Sequence, residues 1–329
     1  MILITTNHFA TLIMRSSFLT IFLLFIIIHA SAVPNQGKSK IDSIFKTNHD
    51  LEGYIMPLYE HSNDANKFQF NYFRLRSRGK ISRQLSYFIQ LELVDKPTIK
   101  DASVDIKLSD FFIIRAGQFQ YHFGVFEKPW NFPTIFLPQI KRYMLGDPRD
   151  MGIQFNGSVK NLNYYAAVVN GTGRGVSEDD KKKTVILSLD YHINDNLKIG
   201  VSQYLGTRNY MEESELINGA KRNRSGAYFW YDDKKLMFRG DYMTGIDHLY
   251  NQSGYYFIGG YFITKKLQPV FRYDYFESEI NDVSNLILAP GLNIFFNDKF
   301  YVRSIMEFNK INNNFEYGRF VLELGVMFL

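Results

Sequence analysis

The sequence predicts an all-β fold, a transmembrane antiparallel β-barrel of about sixteen strands with short periplasmic turns. Three observations predict it. Strand-like runs of roughly ten residues follow one another from Leu51 to Phe328, with apolar and polar residues alternating along many of them. The connections past the middle are alternately tight and long. His192–Asn196, Asp232–Lys235, Thr264–Lys266 and Asn297–Lys299 are tight; Gly171–Lys183, Gly206–Asn223, Thr244–Ser253, Glu277–Asn285 and Asn309–Gly318 are long. The N-terminus, finally, is written for export.

At that N-terminus Arg15 precedes an apolar run from Phe18 to Ile28, closed by Ala30-Ser31-Ala32, the order of a secretory signal peptide. The apolar run is short of the ~20 residues that span a bilayer as a helix. Cleavage is expected after Ala32, with either Met1 or Met14 as the start. The expected organisation is a signal peptide (1–32), a periplasmic segment (33–50) and the barrel (51–329), placed in a bacterial outer membrane. Only helices and closed barrels satisfy every backbone group in lipid. The chain of 329 residues has no cysteine, which excludes a disulfide framework and thiol metal sites. Its formal net charge of +5 is spread out, without the dense basic arm of a nucleic-acid binder.

The elements follow in order as 51–60, 67–78, 84–94, 99–107, 111–119, 152–159, 162–170, 184–192, 196–205, 224–232, 235–245, 253–263, 266–276, 286–296, 299–309 and 319–328. In 67–78 the apolar face changes parity at Tyr72-Phe73, which predicts a bulge. In 84–94, Leu85, Tyr87, Ile89, Leu91 and Leu93 oppose Ser86, Gln90 and Glu92. In the next strand Ala102, Val104, Ile106 and Leu108 oppose Asp101, Ser103, Asp105 and Lys107. Val185, Leu187 and Leu189 oppose Ser188 and Asp190, and Phe271, Tyr273 and Tyr275 oppose Arg272 and Asp274. The last strand places Phe320, Leu322, Leu324, Val326 and Phe328 on one face. Tyrosines near strand ends, among them Tyr54, Tyr72, Tyr191, Tyr242, Tyr261 and Tyr301, suit interfacial girdles. An even count puts both termini on the periplasmic side.

One connection breaks the pattern. Residues 120–151 hold Pro129, Pro133 and Pro138 with Trp130, Phe132 and Phe136 interleaved, then Lys141, Arg142 and Tyr143. Such length without strand character marks a functional or disordered segment, and the aromatic content argues against disorder.

Around this connection the chain resembles the phosphate-selective porin O and P family. The resemblance rests on Phe73-Arg74-Leu75-Arg76, Asp101-Ala102-Ser103-Val104-Asp105 and Arg115-Ala116-Gly117-Gln118-Phe119. His122-Phe123-Gly124, Arg149-Asp150-Met151-Gly152 and Val169-Asn170-Gly171 continue it, in order, over about 70–175. It implies a homotrimer of sixteen-stranded barrels whose third outer loop folds inward, with arginines climbing one wall and lysines at the constriction. Gln120 stands where many relatives carry a lysine.

The implied function is passive diffusion of small hydrophilic solutes, favouring anions such as phosphate, with no enzyme activity, no cofactor, no metal and no nucleic acid. Beyond small anions, the partners expected are outer-membrane lipid and further copies of the chain. The candidate anion contacts are Arg74, Arg76, Arg78, Arg115, Lys141, Arg142 and Arg149, with Asp101 and Asp105 as acidic members of the same lining. Arg74, Arg76 and Arg78 stand two apart, hence on one face at steps of about 7 Å. The blander readings put Arg78 in a periplasmic turn with Lys80 and Arg83, make Asp101 and Asp105 solvated wall carboxylates, and use Arg149-Asp150 to tie down the loop's end. Gly171-Thr172-Gly173-Arg174-Gly175 only superficially resembles a phosphate loop, since it opens a loop rather than a helix. The alternatives are a general, weakly selective porin, or a plugged barrel serving structure or secretion. A plug would need more inward apolar bulk than Arg239, Asp241, Arg272, Asp274 and Arg303 suggest.

Overall fold

The computed structural model describes residues 49–109, 111–125, 133–178, 181–212, 215–311 and 314–328. The expected signal peptide and nearly all of segment 33–50 lie outside the described residues, as do Pro129, Trp130 and Phe132.

Sixteen strands close into one barrel, each antiparallel to both neighbours, with the last strand paired to the first. They are β1 (His49–Ser62), β2 (Asn66–Lys80), β3 (Leu85–Glu92), β4 (Thr98–Ser109), β5 (Phe112–Gln120), β6 (Arg149–Val159), β7 (Leu162–Val169) and β8 (Thr184–His192). Then come β9 (Leu197–Glu212), β10 (Glu215–Asp232), β11 (Leu236–Asp247), β12 (Tyr250–Tyr261), β13 (Leu267–Ser278), β14 (Val283–Asn297), β15 (Phe300–Ile311) and β16 (Asn314–Phe328). The all-β, sixteen-strand expectation holds. Alternation decides which way each side chain points: Leu322 and Leu324 lie on the bare outer surface, while Val321 and Glu323 are buried inside. No helix among the described residues is long and apolar enough to cross a membrane, a statement that does not touch β-barrels.

Three expectations need correction. The long connections 206–223, 244–253 and 309–318 are mostly strand. β9 and β10 stay paired through Gly206↔Arg222 and Thr207↔Lys221 up to Glu212↔Glu215, and β11–β12 and β15–β16 likewise continue to Asp247↔Tyr250 and Ile311↔Asn314. These stretches mix polar residues with adjacent apolar pairs such as Tyr210-Met211 and Leu216-Ile217, so they lack the apolar alternation by which a strand is recognised; cross-strand backbone hydrogen bonds hold them regardless. The bulge in β2 falls at Asn71, left without a partner between Met56↔Tyr72 and Pro57↔Phe70. Pro57 has no N–H to give, and a bulge is where a strand tolerates that. Third, Tyr54 and Tyr301 are fully buried and Tyr72 is half-buried beside Arg74, whereas Tyr191, Tyr242 and Tyr261 do lie on the outer surface.

The core sits inside the barrel. Residues 121–125 and 133–148, between β5 and β6, turn into the lumen, where Ile140, Met144 and Leu145 of the connection pack with Met243, Tyr256, Ile258 and Phe276 of the wall. Ile135 and Phe136 meet a second group, Ile287, Ile305 and Val321. Each fully buried apolar side chain of this kind contributes about 2 kcal/mol. The inward apolar bulk is thus larger than the charged residues of the wall suggested.

Gly117 tests the local geometry at the mouth of this connection. Its φ of +121° suits glycine, and a Cβ built there runs into the Ala102 carbonyl oxygen of β4. Gly117→Ala is expected to destabilise the folded barrel by about 2 kcal/mol, read as a lower midpoint in urea unfolding; an unchanged midpoint would refute the constraint.

Candidate functional site

The inward segment is held by carboxylates and guanidinium groups of the opposite wall. Asp241 of β11 accepts the Val125 N–H at 3.0 Å and pairs with Lys141 Nζ at 3.0 Å, while Lys141 also donates to the Val125 carbonyl at 2.7 Å. Asp274 of β13 accepts the Gln139 N–H at 3.0 and 3.1 Å. Arg272 donates to the Phe136 carbonyl at 2.8 Å, and Asn293 to that of Pro133 at 3.0 Å. At the root, Ser188 donates to the His122 carbonyl at 2.7 Å and the Gly124 N–H to Ser202 at 3.0 Å. Asp241, Asp274 and Arg272, read from sequence as inward charges that argue against a plug, are occupied with the connection's own backbone.

The space left open runs along β2. A cavity of about 580 Å³ is walled by Arg74, Arg76, Arg78, Arg115 and Arg149 with Asp101 and Asp105. A narrower one, about 190 Å³, shares Arg74, Gln120 and Arg149 with it. A third, about 550 Å³, shares Tyr72, Leu137 and Gly146 with the second and opens among Glu60, Lys67, Arg142 and Arg319. The middle cavity is the neck. Seven of the nine residues singled out from sequence thus wall one cavity; Lys141 lines the neck and Arg142 the far mouth.

These cations are paired. Arg74 bonds Glu92 at 2.6 Å, Arg76 bonds Glu52 at 2.7 Å, and Arg78 reaches both Glu52 and Asp50. Arg115 grips Asp105 through two bonds of 2.7 and 2.8 Å. The cause is register, for Arg74↔Glu92, Arg76↔Glu52 and Arg115↔Asp105 are directly opposite cross-strand partners. Arg149 spends its guanidinium on Asp101, Asp147 and the Gln120 side chain. Tyrosine rings back the row, Tyr72 lying 4.4 Å from Arg74 and Tyr54 5.1 Å from Arg76.

The neck presents its cations more than their partners. Arg74, Lys100, Lys141 and Arg149 line it with Asp147, whereas Glu92, Asp241 and Asp101, which pair three of them, are not in the lining. Lys100 of β4 bonds Asp147 at 2.8 Å, a cation in the same lining as Gln120. Neither Lys100 nor Asp147 was singled out from sequence; nothing in their spacing brings β4 and a loop together. Burial alone would raise the Asp147 carboxyl, but Arg149 and Lys100 outweigh it and hold it well below the ordinary value of 3.8.

Residues 50–212 match the profile of the phosphate-selective porin O and P family. Over that stretch the chain belongs to this family. By fold, the porin barrel is similar to an anion-selective porin from Comamonas acidovorans, at 11% identity and a TM-score of 0.63, covering 86% of this chain and 99% of that one. It is also similar to OmpF of Salmonella typhi, solved with daunomycin, at 13% identity and 0.66, covering 85% and 97%. The outer-membrane channel DcaP of Acinetobacter baumannii gives 9% identity and 0.65 over 89% and 99%. At these identities the likeness establishes the fold. No curated protein matches the porin in sequence. Among its described residues no group of three or more His, Asp or Glu side chains is disposed to hold a metal.

Two outcomes are expected. Replacing Asp241 and Asp274 by Ala strands Lys141 and the Val125 and Gln139 N–H groups and costs about 3 kcal/mol of latch energy per site. Single-channel current should then become larger and noisier, whereas an unchanged trace would remove the latch. Because the Asp147 pKa is depressed on folding, its contribution is present above 3.8 and is lost only as pH falls through the lower folded value. Protease resistance of the inward segment should stay flat from neutral pH down to about 4 and fall only below; a loss between 7 and 5 would contradict the pairing.

Proposed function

We propose that this chain, exported by residues 1–32 and trimeric in the outer membrane, is a diffusion channel rather than an enzyme. Small hydrophilic solutes pass along β2, and anions, phosphate among them, are favoured. The observation that carries this reading is the neck lining, which presents four cations to the passage while three of their carboxylate partners, Glu92, Asp241 and Asp101, are not part of that lining. In this reading Arg74 and Arg76 contact the permeant with their remaining donors, Arg78 and Arg115 serve the wide vestibule, and Arg142 gathers anions at the outer mouth. Lys141 and Arg149, committed to Asp241 and Asp101, shape the neck and add field rather than direct contact. Asp101 and Asp105 temper the charge of the same lining.

A plugged barrel with a structural role is the second reading, favoured by the apolar packing of the inward segment. Planar-bilayer recording in a potassium chloride gradient separates the two. A reversal potential on the chloride side supports the channel; no conductance supports the plug, and cation preference sinks anion selectivity. Arg74→Ala and Arg76→Ala would each bare a lumen carboxylate, Glu92 or Glu52, and should lower the chloride-to-potassium ratio roughly severalfold at low salt. An unchanged ratio would take both residues off the path.

A further inference from the structure

The glycine-rich run Gly171–Gly175, set aside in the sequence as a mere loop, reaches the neck-lining Asp147 through Arg174. Gly171, Gly173 and Gly175 have φ of +97°, +94° and +67°, so the turn curls and points successive backbone N–H groups inward. The anion in this nest belongs to the protein itself: Asp150 accepts from Gly171 at 2.7 Å and from Gly173 at 3.2 Å. Gly175 donates to the Gln118 side chain at 3.1 Å. Residue 174 is thereby fixed between two anchored glycines, and its guanidinium meets Asp147 at 2.7 Å.

Asp147 therefore holds three cations from three parts of the chain: Lys100 of β4 at 2.8 Å, Arg149 of β6 at 2.7 Å, and Arg174. Elsewhere along β2 the guanidinium groups meet carboxylates nearly one for one. Here one carboxylate is shared, with Asp101 the other partner of Arg149 and Asp150 held by the glycine turn. Arg174 is the most exposed cation of the three, its side chain keeping about a quarter of its surface open (26%) while Lys100 and Arg149 are more deeply covered.

We propose that Arg174 is a selectivity-determining residue of the channel, the exposed cation at the Asp147 cluster that draws small inorganic anions toward the neck. Asp150 is its positioning residue, through the glycine turn. This rests on the channel reading above and goes beyond it by naming where the preference arises.

The test is the chloride-to-potassium permeability ratio of the full-length barrel in planar bilayers at low salt. Arg174→Gln should lower the ratio by roughly threefold and Arg174→Glu further, while Arg174→Lys retains most of it. Asp150→Asn, which loosens the turn, should lower the ratio even though loss of a carboxylate alone would raise it, and should cause no further fall when combined with Arg174→Gln. Lys183→Gln, which removes a charge on the same connection facing Glu178, should leave the ratio unchanged. Wild-type channels that conduct with anion preference while Arg174→Gln keeps that preference would overturn the proposal. So would an equal fall with Lys183→Gln, which would make the effect general loop charge. A wild type that does not conduct would instead overturn the channel reading. Should the Glu variant fail to insert, the Gln variant carries the decision.

Discussion

The inner wall of this barrel depends on a few carboxylates that accept backbone N–H groups from a segment with no strand to pair with. A closed sheet has no edge, so a connection that enters the lumen brings donors and acceptors that the ladder cannot satisfy. Asp241 and Asp274 meet Val125 and Gln139 on one side, Asp150 meets Gly171 and Gly173, and Asp101 meets the Gln120 N–H. An ionised acceptor bonds an N–H more strongly than a carbonyl does, and burial keeps water from competing. The apolar contacts of Ile140 and Met144 then add area to a segment whose position the carboxylates have already set.

That arrangement divides the lumen into unlike halves. Toward β11–β13 the charged groups are consumed as anchors under packed side chains, and toward β2 they face open space. Charge at the open wall is largely cancelled by register, because arginines and carboxylates stand directly opposite on paired strands. Such pairs hold their guanidinium groups still without creating a strong field. A carboxylate shared by several cations, as at Asp147, leaves a field that one-to-one pairs do not.

Much of the fold was legible in the sequence for a simple reason. Alternation such as Leu322, Leu324 against Glu323 reports a lipid face directly, and tight turns mark one end of every hairpin. The upper parts of β9 and β10 were not legible, because adjacent apolar pairs among polar residues carry no period of two. The arginine row was legible as one face of one strand. Its neutralisation was not, since Glu52 and Glu92 become partners only through register between strands, and neither does spacing in one chain bring Lys100 to Asp147. Asp241 and Asp274 misled for a related reason: an inward carboxylate looks the same in sequence whether it meets water or a folded-in loop.

The tall hairpin of β9 and β10 has a consequence for how this rim can change. Its arms are paired to within two residues of the tip, apart from one register shift between Ile217 and Ala220. Adding a single residue to one arm would swap its inward and outward side chains from that point to the tip. Height can therefore grow or shrink smoothly only by matched steps, one residue on each arm. Odd insertions must be absorbed where the ladder already slips, near Gly219, whose φ of +63° lets the strand take up an unmatched residue.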